Sequence, residues 1–142
     1  RSKGTGYARN KILDNAKGEY ILMLDADDYI YPEVLESILA ENYTEDMIFY
    51  NLEINGGKVW KLDKGNIKEV CGQTKLIKRS FIDTTKYPEL VYAEDKLFNE
   101  KLLKKRPTMI FTNKGYASQN IRIISEKILH NKSLFKYRKY FV

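Results

Sequence analysis

The sequence is poor in several residue types that carry common chemistries. One cysteine, one histidine, one tryptophan and three prolines occur in 142 residues. The lone Cys71 excludes a disulfide framework and a cysteine-built zinc site within the chain, and it fits a reducing compartment. The lone His130 reads as an ordinary surface or core residue more readily than as a metal ligand. No apolar run approaches the roughly 20 residues that span a bilayer. No leader-peptide pattern is present, and neither repeats nor low-complexity linkers are found. The chain opens at Arg1 directly into the loop-like stretch "RSKGTG", as expected of a piece cut from a longer protein.

Lysine and tyrosine are plentiful. Twenty-five basic residues against 19 acidic ones give a net charge of +6 and an isoelectric point near 9.2. This balance suits an anionic partner such as a nucleotide, a polyphosphate, a nucleic acid or a lipid surface, and it suits a solvated lysine-rich surface equally well. A chain of this length is one domain or part of one, and it can bury a core without staples.

Residues 4–18 read as a helix with Thr5 as its cap, Ala8, Ile12 and Ala16 on one face beside Leu13, and Gly18 in the left-handed position past its end. Tyr20 to Leu24 are apolar without alternation, the pattern of a strand buried on both faces. Pro32 suits the first turn of a helix, whose buried stripe is Val34, Leu35, Ile38 and Leu39. "MIFYNLEI" (47–54) reads as a strand, with "NGG" (55–57) turning into "KVWKL". Residues 63–80 show no clear period. A further amphipathic helix is expected over 93–105, with Phe98 and Leu102 one turn apart and Pro107 ending it. "TMIFT" (108–112) is another short strand, and the chain from Ser125 on reads as a basic helix. This order of elements predicts an α/β fold.

The most informative stretch is "YILMLDADDYIYPE" (20–33), where an apolar strand ends in Asp25, Asp27 and Asp28. Ligands of α/β sheets bind beyond the carboxyl ends of the strands. Two carboxylates one residue apart in such a loop can turn toward one point. Hard divalent cations take oxygen ligands of this kind together with substrate phosphates. The arrangement therefore suggests a metal holding a phosphate. An EF-hand loop starting at Asp25 is excluded because Ile30 stands where glycine is required and Pro32 interrupts the loop. A haloacid-dehalogenase-type phosphatase shares the Asp-x-Asp strand end, but Asp28 and Tyr29 do not continue its pattern. An acidic cap on the Pro32 helix accounts for one or two of the aspartates better than for three.

The segment "GYARNKILDNAKGEYILMLDADDYIYPEVLE" resembles the central part of the family 2 glycosyltransferases of GT-A fold. The shared features are Ala8-Arg9-Asn10, Ala16-Lys17-Gly18-Glu19-Tyr20, the apolar strand, Asp25-Ala26-Asp27 and Pro32-Glu33. "GQTKLIKRSFI" (72–82) is similar to the stretch before the acceptor site, and Glu94, Asp95 and Phe98 match the family's Glu-Asp-x-x-Phe motif. "GYASQNIRIIS" (115–125) is more loosely similar to a segment near the diphosphate. The resemblance implies a mixed sheet flanked by helices, with residues 1–125 forming a partial GT-A domain and 126–142 a basic tail. The first strands of the nucleotide-binding half, roughly 80 residues in such a domain, are not in this sequence. No Gln-x-x-Arg-Trp motif occurs, which argues against a processive polysaccharide synthase.

The implied reaction is an inverting, metal-dependent transfer from a nucleotide-diphosphate sugar to a hydroxyl of a saccharide or lipid-linked acceptor, in bacterial surface polysaccharide synthesis. By the same resemblance Asp25 and Asp27 hold Mn2+ or Mg2+, Asp25 contacts the donor, and Asp95 is the general base. Arg9 either faces the nucleotide or pairs with the strand-end acids, and Arg122 clamps the diphosphate. Glu94, Lys75 and Arg79 fall on the acceptor side, although Glu94 and Asp95 also suit a helix start and Lys75 and Arg79 also suit a solvated face. Trp60 either stacks on a sugar or packs in the core. The tail either lies on an anionic membrane or closes the domain as a helix, so the expected location is the cytoplasm, with peripheral contact at the inner face of the membrane. The competing classes are a nucleic-acid-binding module, for which charge spread along the chain and the lack of a known motif are poor support, and an inert fragment.

Overall fold

The computed structural model describes residues 3–26, 28–54, 58–67, 74–90 and 92–119. Its elements are α1 (Thr5–Asn15), β1 (Tyr20–Leu22), β2 (Tyr29–Ile30), α2 (Pro32–Ala40), β3 (Met47–Ile54), β4 (Lys58–Trp60), β5 (Lys75–Lys78), α3 (Arg79–Ile82), α4 (Glu94–Lys104) and β6 (Met109–Gln119). The α/β class expected from the sequence is the one observed.

The strands form one mixed sheet in the order β1-β5-β3-β6-β2. β5 pairs antiparallel with both β1 and β3, and β3 pairs parallel with β6. β1, β3 and β6 therefore run in the same direction, and their carboxyl ends share one edge of the sheet. β3 has β6 along one side, while its other side takes β5 at Met47–Phe49 and then β4 at Leu52–Ile54.

Both faces of the sheet are covered, which explains why its central strands do not alternate in sequence. On one face Ile21, Met23, Met47, Phe49 and Ile77 pack with Phe98 and Leu102 of α4 and with Ile12 and Leu13 of α1. On the other, Leu22, Ile48, Tyr50, Leu52 and Leu76 pack with Val34, Leu35 and Ile38 of α2. Neighbouring residues of β1 and β3 thus fall into opposite cores, as a two-residue side-chain period demands. Trp60 packs against both clusters, as the core reading expects.

Several local expectations are corrected. Gly4, at φ 85°, occupies the cap of α1, so Thr5 is the first helical residue and caps nothing. Ala8 is exposed, and the helix end is stopped by an extended Ala16 rather than by Gly18. Leu39 is 55% exposed, so the buried stripe of α2 is Val34, Leu35 and Ile38. β1 is three residues long because the chain leaves the sheet before Leu24. Residues 63–80, which showed no period, contain the sheet strand β5. Pro32 does open α2, and α4 stops at Lys104, where Arg106 takes a left-handed conformation ahead of Pro107.

The approach of α1 to the chain before α4 positions the site. Gly6 is buried, and a Cβ there would lie 2.0 Å from the Pro88 carbonyl oxygen. Only a residue without a side chain permits that contact. One turn on, Asn10 secures the same loop twice. Its side-chain amide donates to the Tyr87 carbonyl at 2.9 Å, and its carbonyl oxygen accepts from the Tyr87 amide at 2.8 Å.

Candidate active site

β1 ends at the edge where β3 and β6 also finish, and the chain turns there, with the Asp28 amide donating to the Asp25 carbonyl at 3.0 Å. The turn leaves the Asp25 side chain 47% exposed. α1 lies alongside, and Arg9 reaches two acids from its middle. Nη2 donates to Asp25 Oδ1 at 2.8 Å, and Nη1 donates to Glu94 Oε1 at 2.7 Å. Both bonds are charge-assisted and therefore stronger than neutral ones. Of the two alternatives for Arg9, the geometry realises the pairing with the acids. Arg9 thus joins the end of a strand to the start of a helix that lies 85 residues from Arg9 itself in sequence.

The surroundings of Arg9 are largely dry. Its Cζ lies 5.6 Å from the centroid of the Tyr87 ring, and that ring stacks on Phe98 at 3.8 Å. Burial works against the charge of Arg9. The hydrogen bond and attraction of Asp25, with smaller contributions from Tyr87 and Glu94, outweigh it and raise the guanidinium above its ordinary pKa. Burial pushes the Tyr87 phenol up strongly. Arg9 opposes that shift, while Asp95, Asp25 and Glu94 add to it. Tyr87 is therefore a neutral wall at any physiological pH. Behind the turn, Tyr50 is fully buried on β3, and its phenol is raised by burial and by the charge of Asp28.

Glu94 and Asp95 open α4 at the same edge. The residue before them, Ala93, is left-handed (φ 62°, ψ 17°), a strained conformation for an alanine. Glu94 is buried and bound to Arg9, whereas Asp95 is only half-buried, and its Oδ1 accepts from the Lys96 amide at 2.7 Å. Both carboxylates sit in the first turn, where the helix dipole favours negative charge.

Lys75 and Arg79 do not share a site. Lys75 begins β5 at the Asp25 edge and is 1% exposed, on the same face as Ile77. That burial overturns the solvated reading and removes Lys75 from any open acceptor face. Arg79 follows β5 at the opposite edge, where its Nε donates to the Gly18 carbonyl at 2.8 Å. It closes the entrance to β1 and faces no acceptor at the Asp25 edge. Asp27 and Arg122 lie outside the described residues, as do Cys71, His130 and the basic tail. Gly6, Asn10 and Tyr87 hold the site together, but sequence reasoning gave them no role. Asn10 stood in the Ala-Arg-Asn motif, whereas nothing in the sequence around Tyr87 marked it out.

The chain matches known proteins over nearly its whole length. The family model described as Glycosyl transferase family 2 matches residues 1–130. The poly(ribitol-phosphate) beta-N-acetylglucosaminyltransferase TarS of Staphylococcus aureus is 30% identical over 134 residues, which cover 89% of this chain and 23% of TarS. Glycosyltransferase GlyA of Streptococcus pneumoniae is 27% identical, with 95% of this chain and 21% of GlyA covered. The crystal structure of TarS 1–349 in complex with UDP-GlcNAc superposes with a TM-score of 0.67 at 26% identity, over 84% of this chain and 40% of that one. The chain thus spans less than a quarter of the length of these curated relatives.

Proposed function

The chain belongs to glycosyl transferase family 2, its mixed sheet and helices being those of the GT-A fold, and from that premise we propose that it carries the catalytic edge of an inverting transferase. The enzyme moves a sugar from a nucleotide-diphosphate donor to an acceptor hydroxyl in the synthesis of a bacterial surface polysaccharide. The observation that carries the reading is the Arg9 bridge, which brings the strand-end Asp25 and the helix-start Glu94 to one edge of the sheet. Asp95 follows Glu94 at that edge. Solved structures of TarS hold UDP-GlcNAc and UDP, and the related protein of Bacillus spizizenii is a poly(ribitol-phosphate) beta-glucosyltransferase. A uridine-diphosphate sugar is accordingly the donor we assign.

Among the described residues no cluster of three or more His, Cys, Asp or Glu side chains is poised to hold a metal ion. A cation that takes one or two carboxylates and completes its shell with donor phosphates does not need such a cluster. The exposed Asp25 carboxylate offers the hard oxygen this requires, and Asp27 is the second candidate. The chemistry of Asp25 suits Mn2+ or Mg2+, which Asp25 and, on the resemblance alone, Asp27 would hold. When bound, the ion supplies charge stabilisation to the leaving diphosphate.

The protein's own groups do the rest. Arg9 holds Asp25 at the donor and fixes Glu94 through its second hydrogen bond. Glu94 in turn anchors the first turn of α4, so Asp95 is presented at a constant position. Asp95 takes the proton of the attacking hydroxyl, and a single displacement needs no second carboxylate as nucleophile. Tyr87, neutral and stacked on Phe98, excludes water from beneath Arg9. Arg122 we assign to the donor diphosphate on the resemblance alone. No helix of the described residues is long and apolar enough to cross a membrane. We place the enzyme in the cytoplasm, in peripheral contact with the inner membrane face where lipid-linked acceptors reside.

Thermal melting in the presence of UDP, GDP and their sugar conjugates, each with and without Mn2+, tests the reading. We expect the uridine series to raise the melting temperature in a Mn2+-dependent way, by an amount equivalent to about 2.7 kcal/mol at a hundredfold excess over Kd. The rise should vanish in Asp27→Ala. A rise that survives this substitution would remove the metal role from Asp27, and a well-folded chain that responds to no nucleotide would overturn the reading.

A further inference from the structure

Arg9 divides one charge between two acids of unlike exposure. The side chain of Glu94 is 9% exposed and that of Asp25 is 47% exposed. The two bonds therefore differ in what their loss leaves behind. Without Arg9 the Glu94 carboxylate is a buried charge with its partner removed, whereas water can replace Arg9 at Asp25. Nor can Arg9 withdraw with its helix. Gly6 and Asn10, on either side of it in α1, hold that helix against Pro88 and Tyr87. A positive charge is thus fixed beside Asp25. It occupies Oδ1, and among the described residues no hydrogen bond or ion pair reaches Oδ2.

We propose that Arg9 is an electrostatic gate at Asp25, opposing a divalent cation that arrives alone and favouring one that arrives with an anionic diphosphate. This deepens the transferase reading and rests on it for the diphosphate. A cation reaching Asp25 meets a like charge that the pinned helix cannot carry away. Its approach weakens the exposed Arg9–Asp25 bond and leaves Arg9 on Glu94, the acid whose burial makes it the harder partner to give up. A diphosphate carries the opposite charge, so the guanidinium and the ion both attract it. The repulsion that opposes the lone ion thus becomes a joint attraction for the pair. In this role Arg9 acts through Asp25 and is a positioning residue.

The test measures Mn2+ binding by electron paramagnetic resonance, with and without UDP, on the 142-residue chain, Arg9→Met/Glu94→Gln and Asp25→Ala. The double variant removes both members of the buried pair, so no charge is stranded and the net charge of the edge is unchanged. Arg9→Gln/Glu94→Gln, which keeps a neutral hydrogen-bonding pair, gives the same comparison if the methionine variant fails to fold by circular dichroism. Broadening of the Asp25 and Asp28 amide resonances by Mn2+ locates the ion. With Mn2+ alone the double variant is expected to bind about threefold more tightly than the parent, because the guanidinium it loses bonds Asp25 directly. The gain in Mn2+ affinity that UDP adds should be about threefold smaller in the variant than in the parent. A merely structural Arg9 predicts weaker binding by the variant under both conditions. Equal or weaker binding of Mn2+ alone by the variant overturns the proposal, as does an equal gain from UDP or Mn2+ binding that survives Asp25→Ala. Either of the first two results, with the parent still binding Mn2+ and UDP through Asp25, spares the transferase reading. No Mn2+ binding by parent or variant even with UDP overturns the gate and the metal-dependent transferase reading together.

Discussion

The two edges of the sheet each carry an aspartate beside a strand, and the two residues live in opposite ways. Asp46 precedes β3 and is spent on the fold. Its Oδ2 accepts from the Thr108 amide at 2.9 Å and from the Thr108 hydroxyl at 3.0 Å, and its own amide donates to that hydroxyl at 2.9 Å. Around it the same edge is closed by further bonds to backbone oxygens. The Tyr20 hydroxyl donates toward the carbonyls of Tyr43 and Glu45, Lys78 Nζ donates to the Thr44 carbonyl, and Arg79 Nε to the Gly18 carbonyl. Asp25, past the end of β1, is bound by an arginine that also serves a second acid, and it stays 47% exposed. One edge satisfies its polar groups locally and is finished. The other gathers ionised groups and leaves a carboxylate facing outward, as a site for an absent partner requires.

That contrast is broken or sharpened most strongly at Asp95. Replacing it by Asn should lower transfer by about 10²–10⁴-fold while leaving the melting temperature within a degree or two of the parent. A loss of stability to match would make Asp95 a cap and not a base. Next comes Arg9→Ala, which leaves the buried Glu94 without its partner. Urea unfolding should show a loss of about 3 kcal/mol, because breaking a buried pair strands a charge. The double variant Arg9→Ala/Glu94→Gln should recover part of it, and no recovery would mean that the bridge is incidental. Asp46→Ala should cost about 1–2 kcal/mol through its lost hydrogen bonds to Thr108, with donor affinity unchanged. A change in donor affinity would mean that the two edges are not independent.

The smallest effect is expected at Asp14, which pairs with Lys86 at 2.5 Å on the surface. The hydrogen bond from Lys86 holds this carboxyl below its ordinary pKa, against the small opposing pull of burial. A carboxyl depressed in the folded state stabilises the protein above its unfolded pKa, and that contribution is lost as the pH falls through the folded value. The melting difference between the parent and Asp14→Asn should therefore shrink on acidification below pH ~4 and shrink with salt. A difference independent of pH would assign it to something other than this pair.

The fold was legible in the sequence wherever packing follows a period. α2 and α4 announced themselves by their apolar spacing, and β1 by a run without alternation. β5 was hidden because "KLIK" sets lysines at both ends of two apolar residues, and only the sheet shows that Lys75 is buried while Lys78 meets the Thr44 carbonyl. Lys75 and Arg79 read as one basic group, yet a strand advances about 3.3 Å per residue, so four residues carry the chain across the sheet from one edge to the other. At the site, Asp25 was visible as an acid that ends an apolar strand. The pairing of Arg9 with the strand-end acids stood among the alternatives, but its second partner, Glu94, did not, because the sequence offers no measure of which residue 85 positions away the fold returns to it. Tyr87 was invisible for the same reason, since its place in the chain before α4 is set by Gly6 and Asn10 of α1.

The most direct test of the central claim, that the Asp25 edge serves the donor and the Asp46 edge serves the fold, is calorimetric titration of UDP-GlcNAc with Mn2+ into the parent chain, Asp25→Ala and Asp46→Ala, below the melting temperature of each. The account predicts Mn2+-dependent binding by the parent and by Asp46→Ala with matching affinity, and none by Asp25→Ala. Equal binding by Asp25→Ala and the parent would contradict it.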